Sequence, residues 1–146
     1  MTPRLLVVDT NVLIRHGHDE LTRRGLLSSV VLQEITAGAR DKGEVREWGA
    51  FGRAMAGEGR MLVPGGDDWY ETGRVLNSLL RGVRSVRGPR SHAIDKGELQ
   101  RLVRDVLIAR SAKRVNAAVV TYNTGDFEKI RRFCDVRLLA PEDYLG

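Results

Sequence analysis

The stretch "AAVVTYNTGDFEKIRRF", residues 117–133, holds a strand, a polar loop and a helix in immediate succession. Its apolar run, 117–121, is short and bounded by polar residues, as expected of a strand buried on both faces of a parallel sheet. "DFEKIRRF" (126–133) then reads as a helix. Between them stand Thr121, Asn123 and Asp126, more polar groups than a turn requires. The cluster reads as part of a site whose other members must come from elsewhere in the chain.

Working outward, the same alternation recurs. "RLLVVD" (4–9) is a strand ending in Asp9, and "TNVLIRHG" after it is a short helix that Thr10 or Asn11 would cap. "GLLSS" (25–29) is a second strand, followed by the helix "VVLQEITAGAR" (30–40) with Ser29 as its cap. The helix at 43–59 places Val45, Trp48, Gly52 and Met55 on one face. "RMLVP" (60–64) is a third strand, and the helix at 67–82 lines up Trp69, Gly73, Leu76 and Leu80. Residues 82–97, with glycine, proline and several arginines, are predicted irregular. A helix over 98–114, with Leu99, Leu102, Val103, Val106 and Arg110 at helical spacing, leads to the fourth strand, and "DVRLL" (135–139) is the fifth.

The expected class is therefore α/β, a mostly parallel five-stranded sheet with helices on both faces, in a single domain spanning 1–146. Right-handed crossovers place every strand's carboxyl end on one edge, where ligands bind in open α/β sheets. Asp9 and Thr121 both fall at that edge.

Composition narrows the partners. At 42% hydrophobic and 29% charged, the chain has the balance of a folded globular domain. No apolar stretch approaches the roughly 20 residues that cross a bilayer. The start "MTPRLLVVD" meets an acid too soon for a signal peptide, and one cysteine, Cys134, cannot form an internal disulfide; a cytoplasmic location is expected. A net charge of +5 favours a polyanion such as nucleic acid, though all but four of the 24 basic residues are arginine, a bias that genomic base composition also produces.

Two further acids lie inside apolar helical stretches: Glu34 in "VVLQEI" and Asp105 in "LVRDVLIA". Each of the four acids has a plainer reading. Asp9 and Asp126 would serve as helix caps, Glu34 as a solvated helix residue, and Asp105 as a partner of Arg101 or Arg104. The topology instead lets all four gather at one end of the sheet. Two such charges ~6 Å apart cost about 3 kcal/mol at an effective dielectric near 20. The cluster must then take up protons or bind cations. Oxygen donors without histidine or cysteine suit Mg2+ or Mn2+.

These residues carry a resemblance. "VVDTNVLI", "SSVVLQEITAGA", "RDVLIARSA" and "VVTYNTGDF" resemble, in order, the four motifs of the PIN-domain nucleases, most closely their VapC-type toxin branch. The resemblance implies a Mg2+- or Mn2+-dependent endoribonuclease with Asp9, Glu34, Asp105 and Asp126 as catalytic metal ligands. Asn11, Thr121 and Asn123 would be the supporting polar residues. It implies an RNA substrate and a cognate antitoxin; the stripes at 43–59 and 67–82 would supply the antitoxin groove or a homodimer surface. The alternatives are a catalytically silent PIN-like RNA-binding module and a PIN nuclease that is not a toxin. The third motif here follows a longer lead, "SVRGPRSHAIDKGELQR", and Asp95 within it is left as an open candidate for the acidic site.

Other α/β readings fit less well. A haloacid-dehalogenase-type phosphatase needs an aspartate where Asn11 stands, and a phosphoacceptor receiver needs a lysine after its fifth strand, which "DVRLLAPEDYLG" lacks. Arg81, Arg84, Arg87 and Arg90 form either a solvated loop or a phosphate-tracking arm. His16 and His18 lack further ligands for a metal, Cys134 reads as a small buried residue, and Trp48 and Trp69 read as core or interface.

Overall fold

A computed structural model of the chain describes residues 5–18, 25–87 and 95–145, the side chains of 82–87 and 145 excepted. Five strands form one sheet: β1 (Leu5–Val8), β2 (Gly25–Ser28), β3 (Met61–Leu62), β4 (Ala117–Val120) and β5 (Arg137–Leu139). The order is β3-β2-β1-β4-β5, and every pairing is parallel. The sheet is thus wholly, not mostly, parallel. Around it lie α1 (Thr10–His16), α2 (Ser29–Ala37), α3 (Lys42–Gly57), α4 (Gly66–Arg87), α5 (Lys96–Arg114), α6 (Thr124–Arg131) and α7 (Pro141–Leu145).

The two central strands explain why the apolar runs are unbroken. Leu6, Val7 and Val8 of β1 pair with Ala118, Val119 and Val120 of β4, and all six are almost completely buried. Helices cover both strands, so neither can alternate polar with apolar residues. Asn116, with φ +57°, makes the turn into β4 in the left-handed region, which asparagine is one of the few non-glycine residues to tolerate. Because the strands are parallel, their carboxyl ends point one way. Asp9 follows β1, Ser28 ends β2 and leads straight into α2, and Thr121 follows β4.

Several expectations need correction. Asp9 itself caps α1, its side chain accepting from Thr10 N–H, so neither Thr10 nor Asn11 does. Ser28, not Ser29, caps α2. The fourth helix continues through Gly82 to Arg87, where an irregular segment was expected. A single glycine costs a long helix only about 1 kcal/mol, and α4 is described as far as Arg87. Arg84 and Arg87 therefore stand on a helix, while Arg90 lies outside the described residues.

The inward stripe of α4 is also displaced. Asp68, Thr72 and Val75 are buried, whereas Gly73 and Trp69 are exposed, Trp69 by 56%. Leu76 and Leu80 are only partly covered. On α3, Gly52 and Met55 are buried as expected, Trp48 is half-buried, and Val45 is exposed. A Cβ on Gly52 would stand 2.8 Å from Leu32 Cδ2, so the glycine lets α3 approach α2 closely.

Candidate active site

The site is built on Asp9. Only 5% exposed, it sits where β1 stops and α1 starts. Its Oδ1 accepts from Thr10 N–H at 2.8 Å, and its Oδ2 accepts from the Thr121 hydroxyl at 2.7 Å. Asn11 Nδ2 lies 3.4 Å from both Asp9 Oδ2 and Thr121 Oγ1. Asn11 Oδ1 in turn accepts from Tyr122 N–H at 3.2 Å. The polar cluster after β4 thus fixes the carboxylate after β1. Its last member works locally: Thr121 Oγ1 accepts from Asn123 N–H at 2.9 Å, and Asn123 Nδ2 donates to Asp126 Oδ2 at 2.9 Å.

Asp126 is exposed in the first turn of α6, and Asn123 is the residue that precedes that helix. Glu34, on α2, has one oxygen, Oε1, that is buried without a hydrogen-bond partner. Its Oε2 lies 3.8 Å from Arg104 Nε, an ion pair too long to be a hydrogen bond. Arg104 therefore turns toward Glu34 rather than serving as a hydrogen-bonded partner for Asp105. Thr10 Oγ1 stands close enough to ease the Glu34 charge, yet it too is buried outside ordinary hydrogen-bond geometry.

Electrostatics tie the four acids together. Burial holds the Asp9 carboxyl above its usual range, against the pull of the Thr121 and Thr10 hydrogen bonds. Burial and then the Asp9 charge raise Glu34, with Arg104 acting against them. Asp105 moves furthest, to about 8, through burial first and then the charges of Asp9, Glu34 and Asp126, with Arg104 opposing. The charges of Asp9, Glu34 and Asp126 thus all reach Asp105, although the four acids stand on separate elements. Asp95 does not act on Asp105; it is exposed at the start of α5, ten residues and about 15 Å of helix rise away.

All the donors at this edge are oxygens, the set that suits a hard divalent cation. Glu34 has a buried oxygen without a hydrogen-bond partner, and the raised Asp105 carboxyl would lose its proton more readily beside a cation. Among the described residues, however, no three carboxylate, imidazole or thiol groups are placed so that together they could hold a metal ion. The donor chemistry fits such an ion, and no finished coordination shell is present.

Sequence reading missed a second group at this edge. Tyr122 is 36% exposed, its hydroxyl hydrogen-bonds His16 Nε2, and Arg15 Cζ lies 5.1 Å from its ring centroid. Nothing in the periodicity marks it, because Tyr122 meets α1 only through the fold. His18 instead packs against Phe51 and Trp48, with ring centroids 4.7 Å and 5.9 Å away.

No protein-family model and no curated protein matches the chain. Solved structures do. A DNA-bound VapBC from Salmonella typhimurium aligns over 96% of this chain and 98% of its own, at 21% identity and a TM-score of 0.58. VapBC-1 from nontypeable Haemophilus influenzae aligns over 97% and 99%, at 16% identity and a TM-score of 0.58. FitAcB from Neisseria gonorrhoeae aligns over 94% and 99%, at 18% identity and a TM-score of 0.54. At such identities what is shared is the fold: this chain has the PIN-like α/β fold, matched along nearly its whole length.

Proposed function

We propose that the chain is a Mg2+- or Mn2+-dependent endoribonuclease, a single nuclease domain acting in the cytoplasm as the toxin of a toxin–antitoxin pair. What supports this reading is Asp9 held by Thr121 and Thr10 at the carboxyl edge of the sheet, together with Asp105, whose carboxyl burial and then the charges of Asp9, Glu34 and Asp126 raise to about 8. A cluster with so much unmet negative charge has a use for a divalent cation and little structural value without one.

Asp9, Glu34, Asp105 and Asp126 would hold the ion. Bound there, it supplies Lewis-acid polarisation of a phosphate oxygen and a water acidic enough to attack phosphorus. The chain's own residues do the rest. Thr121 donates to Asp9 Oδ2 and Thr10 N–H donates to Oδ1, so the carboxylate cannot rotate. Asn123 sets the plane of Asp126. The exposed Lys129 on α6 and Arg132 just after it offer cations to the flanking RNA backbone, consistent with the basic composition.

A protein partner is supported by a separate feature. Val63, Pro64, Trp69, Leu99 and Val103 line a cavity of about 580 Å³ between α2, α4 and α5, with Arg104 on its wall. Val63 and Trp69 are more than half exposed. An antitoxin segment that folds on binding would cover such a surface; a second copy of the chain is the competing occupant. Among the described residues no helix is long and apolar enough to cross a membrane.

The test is cleavage of single-stranded RNA by the purified chain with Mg2+, with Mn2+ and with EDTA. Cleavage should require the metal, and Asp9→Asn should lower it by at least about a hundred-fold. RNA binding without metal-dependent cleavage would favour the silent RNA-binding module. A short neighbouring reading frame whose product co-purifies and suppresses cleavage supports the toxin assignment; cleavage without such a partner leaves a nuclease of the same fold that is not a toxin.

A further inference from the structure

We propose that Tyr122, with Arg15 and His16, is a stacking platform that holds one nucleobase of single-stranded RNA beside the acidic cluster. The inference rests on the ribonuclease reading and adds how the substrate is positioned.

The first observation is rigidity. Tyr122 lies between Thr121, which donates to Asp9, and Asn123, which donates to Asp126. Its own N–H is held by Asn11, whose amide also reaches Asp9. The tyrosine backbone is therefore referenced to the acidic cluster through a single side chain. Its ring is fixed at the far end as well, because the hydroxyl hydrogen-bonds His16 Nε2. The Tyr122 and His16 rings lie within 24° of parallel, with centroids 5.9 Å apart.

The second observation is exposure with charge. A tyrosine tied down at both ends still leaves 36% of its surface open, and Arg15 Cζ stands over its ring, 5.1 Å from the centroid, so that a base must stack on the opposite face or displace the guanidinium. Arg15 is exposed in the last turn of α1. A π face, an imidazole and a guanidinium on one ledge are the components that single-stranded nucleic-acid surfaces combine: a base stacks on the ring while arginine meets the adjoining phosphate. Duplex RNA buries its base faces, so the platform selects a single-stranded or looped segment. A tyrosine that served only to seat the end of α1 would need neither the cation over its ring nor this much exposure.

The experiment is binding of a short fluorescent single-stranded RNA in EDTA by the parent, Tyr122→Phe, Tyr122→Leu and Arg15→Gln, with thermal melts as folding controls. Stacking is worth between about five-fold and a hundred-fold in affinity per base. Tyr122→Leu should lose that factor, Tyr122→Phe should keep most of it, and Arg15→Gln should show a shallower salt dependence. A set of RNAs with one abasic position moved along the strand gives the decisive readout. One abasic position should weaken the parent as much as Tyr122→Leu does, and combining the two should add nothing. Additive losses, or a Leu variant that folds and binds like the parent, overturn the platform. If Tyr122→Leu keeps RNA affinity but releases a co-purifying protein, the ring is a protein contact and the platform is wrong. A parent that binds RNA without cleaving it sinks the nuclease reading, while the affinity ratios still decide the platform; a parent that binds no RNA sinks both.

Discussion

Asp68 and Asp9 are both buried aspartates at the edge of a helix, and the chain treats them in opposite ways. Asp68, fully buried, accepts from Gly65 N–H at 2.9 Å and from Arg114 Nε at 2.9 Å, with Arg110 Nε 3.7 Å from its other oxygen. Two arginines on α5 therefore answer one acid on α4. At the sheet edge the balance differs: among the described residues Arg104 is the cation that opposes the charges around Asp105, and it approaches Glu34 only to 3.8 Å. The first arrangement is balanced in charge and pins two helices, although Asp68 Oδ1 and Arg110 Nε, like Glu34 Oε1, are buried without a hydrogen-bond partner. The second is open, and an open cluster of charge is what a ligand completes.

The largest expected effect tests the closed region. Asp68→Ala leaves Arg110 and Arg114 facing a hole, and removing one partner of a buried pair costs about 3–5 kcal/mol. Both arginines keep some solvent contact, which places the cost near the lower end. The melting temperature should fall by about 10 °C, measured by calorimetry, while the folded fraction cleaves RNA as the parent does. A loss of cleavage without a loss of stability would make Asp68 part of the site and erase the comparison.

A smaller effect tests the open region. Asp105 titrates near 3.8 unfolded and about 8 folded, so between those values the folded state holds a proton that the unfolded chain has released. The sign follows: with metal removed, this contribution is full below about pH 4 and is lost progressively as pH rises to about 8. The metal-free protein should melt several degrees lower at pH 8.5 than at pH 5.5, and Asp105→Asn should flatten that slope. An unchanged slope in the variant would mean that Asp105 does not carry the strain.

The same contrast shows what a sequence can and cannot reveal. The candidate site could be proposed from sequence because Asp9 ends an apolar strand, Glu34 and Asp105 interrupt apolar helical stretches, Asp126 follows the fourth strand, and topology alone gathers strand ends at one edge. Asp9, Glu34, Asp105 and Asp126 needed no knowledge of their partners. The closed region was not legible, because Asp68 is buried through Arg110 and Arg114, which lie more than 40 residues further along the chain. Apolar periodicity turns Trp69 inward, whereas the ion pairs rotate α4 by one residue, about 100°, and bury Asp68, Thr72 and Val75. The pairing of Arg104 with Glu34 was hidden for the same reason. It depends on how α2 meets α5, and no local pattern records that.

Asp126 offers the smallest effect, one whose sign reports the state of its neighbours. It sits in the first turn of α6, where a negative charge near the helix N-terminus is worth about 0.3–1 kcal/mol. Asp126→Asn gives up that interaction at any pH where the acid is ionised, while an amide oxygen still accepts from Asn123. The same charge also repels Asp105, though it ranks behind burial, Asp9 and Glu34 among the causes that raise it. At pH 5.5 Asp105 is protonated, so that repulsion is absent and the variant should be slightly less stable than the parent. At pH 9 Asp105 is ionised, relief of repulsion offsets the lost helix interaction, and the difference should vanish or reverse. Metal-free melts of both proteins at the two pH values measure it directly. A constant deficit at both would make Asp126 an ordinary helix-terminal acid, electrically separate from the cluster, whereas a difference that changes with pH ties the loop after β4 to Asp105.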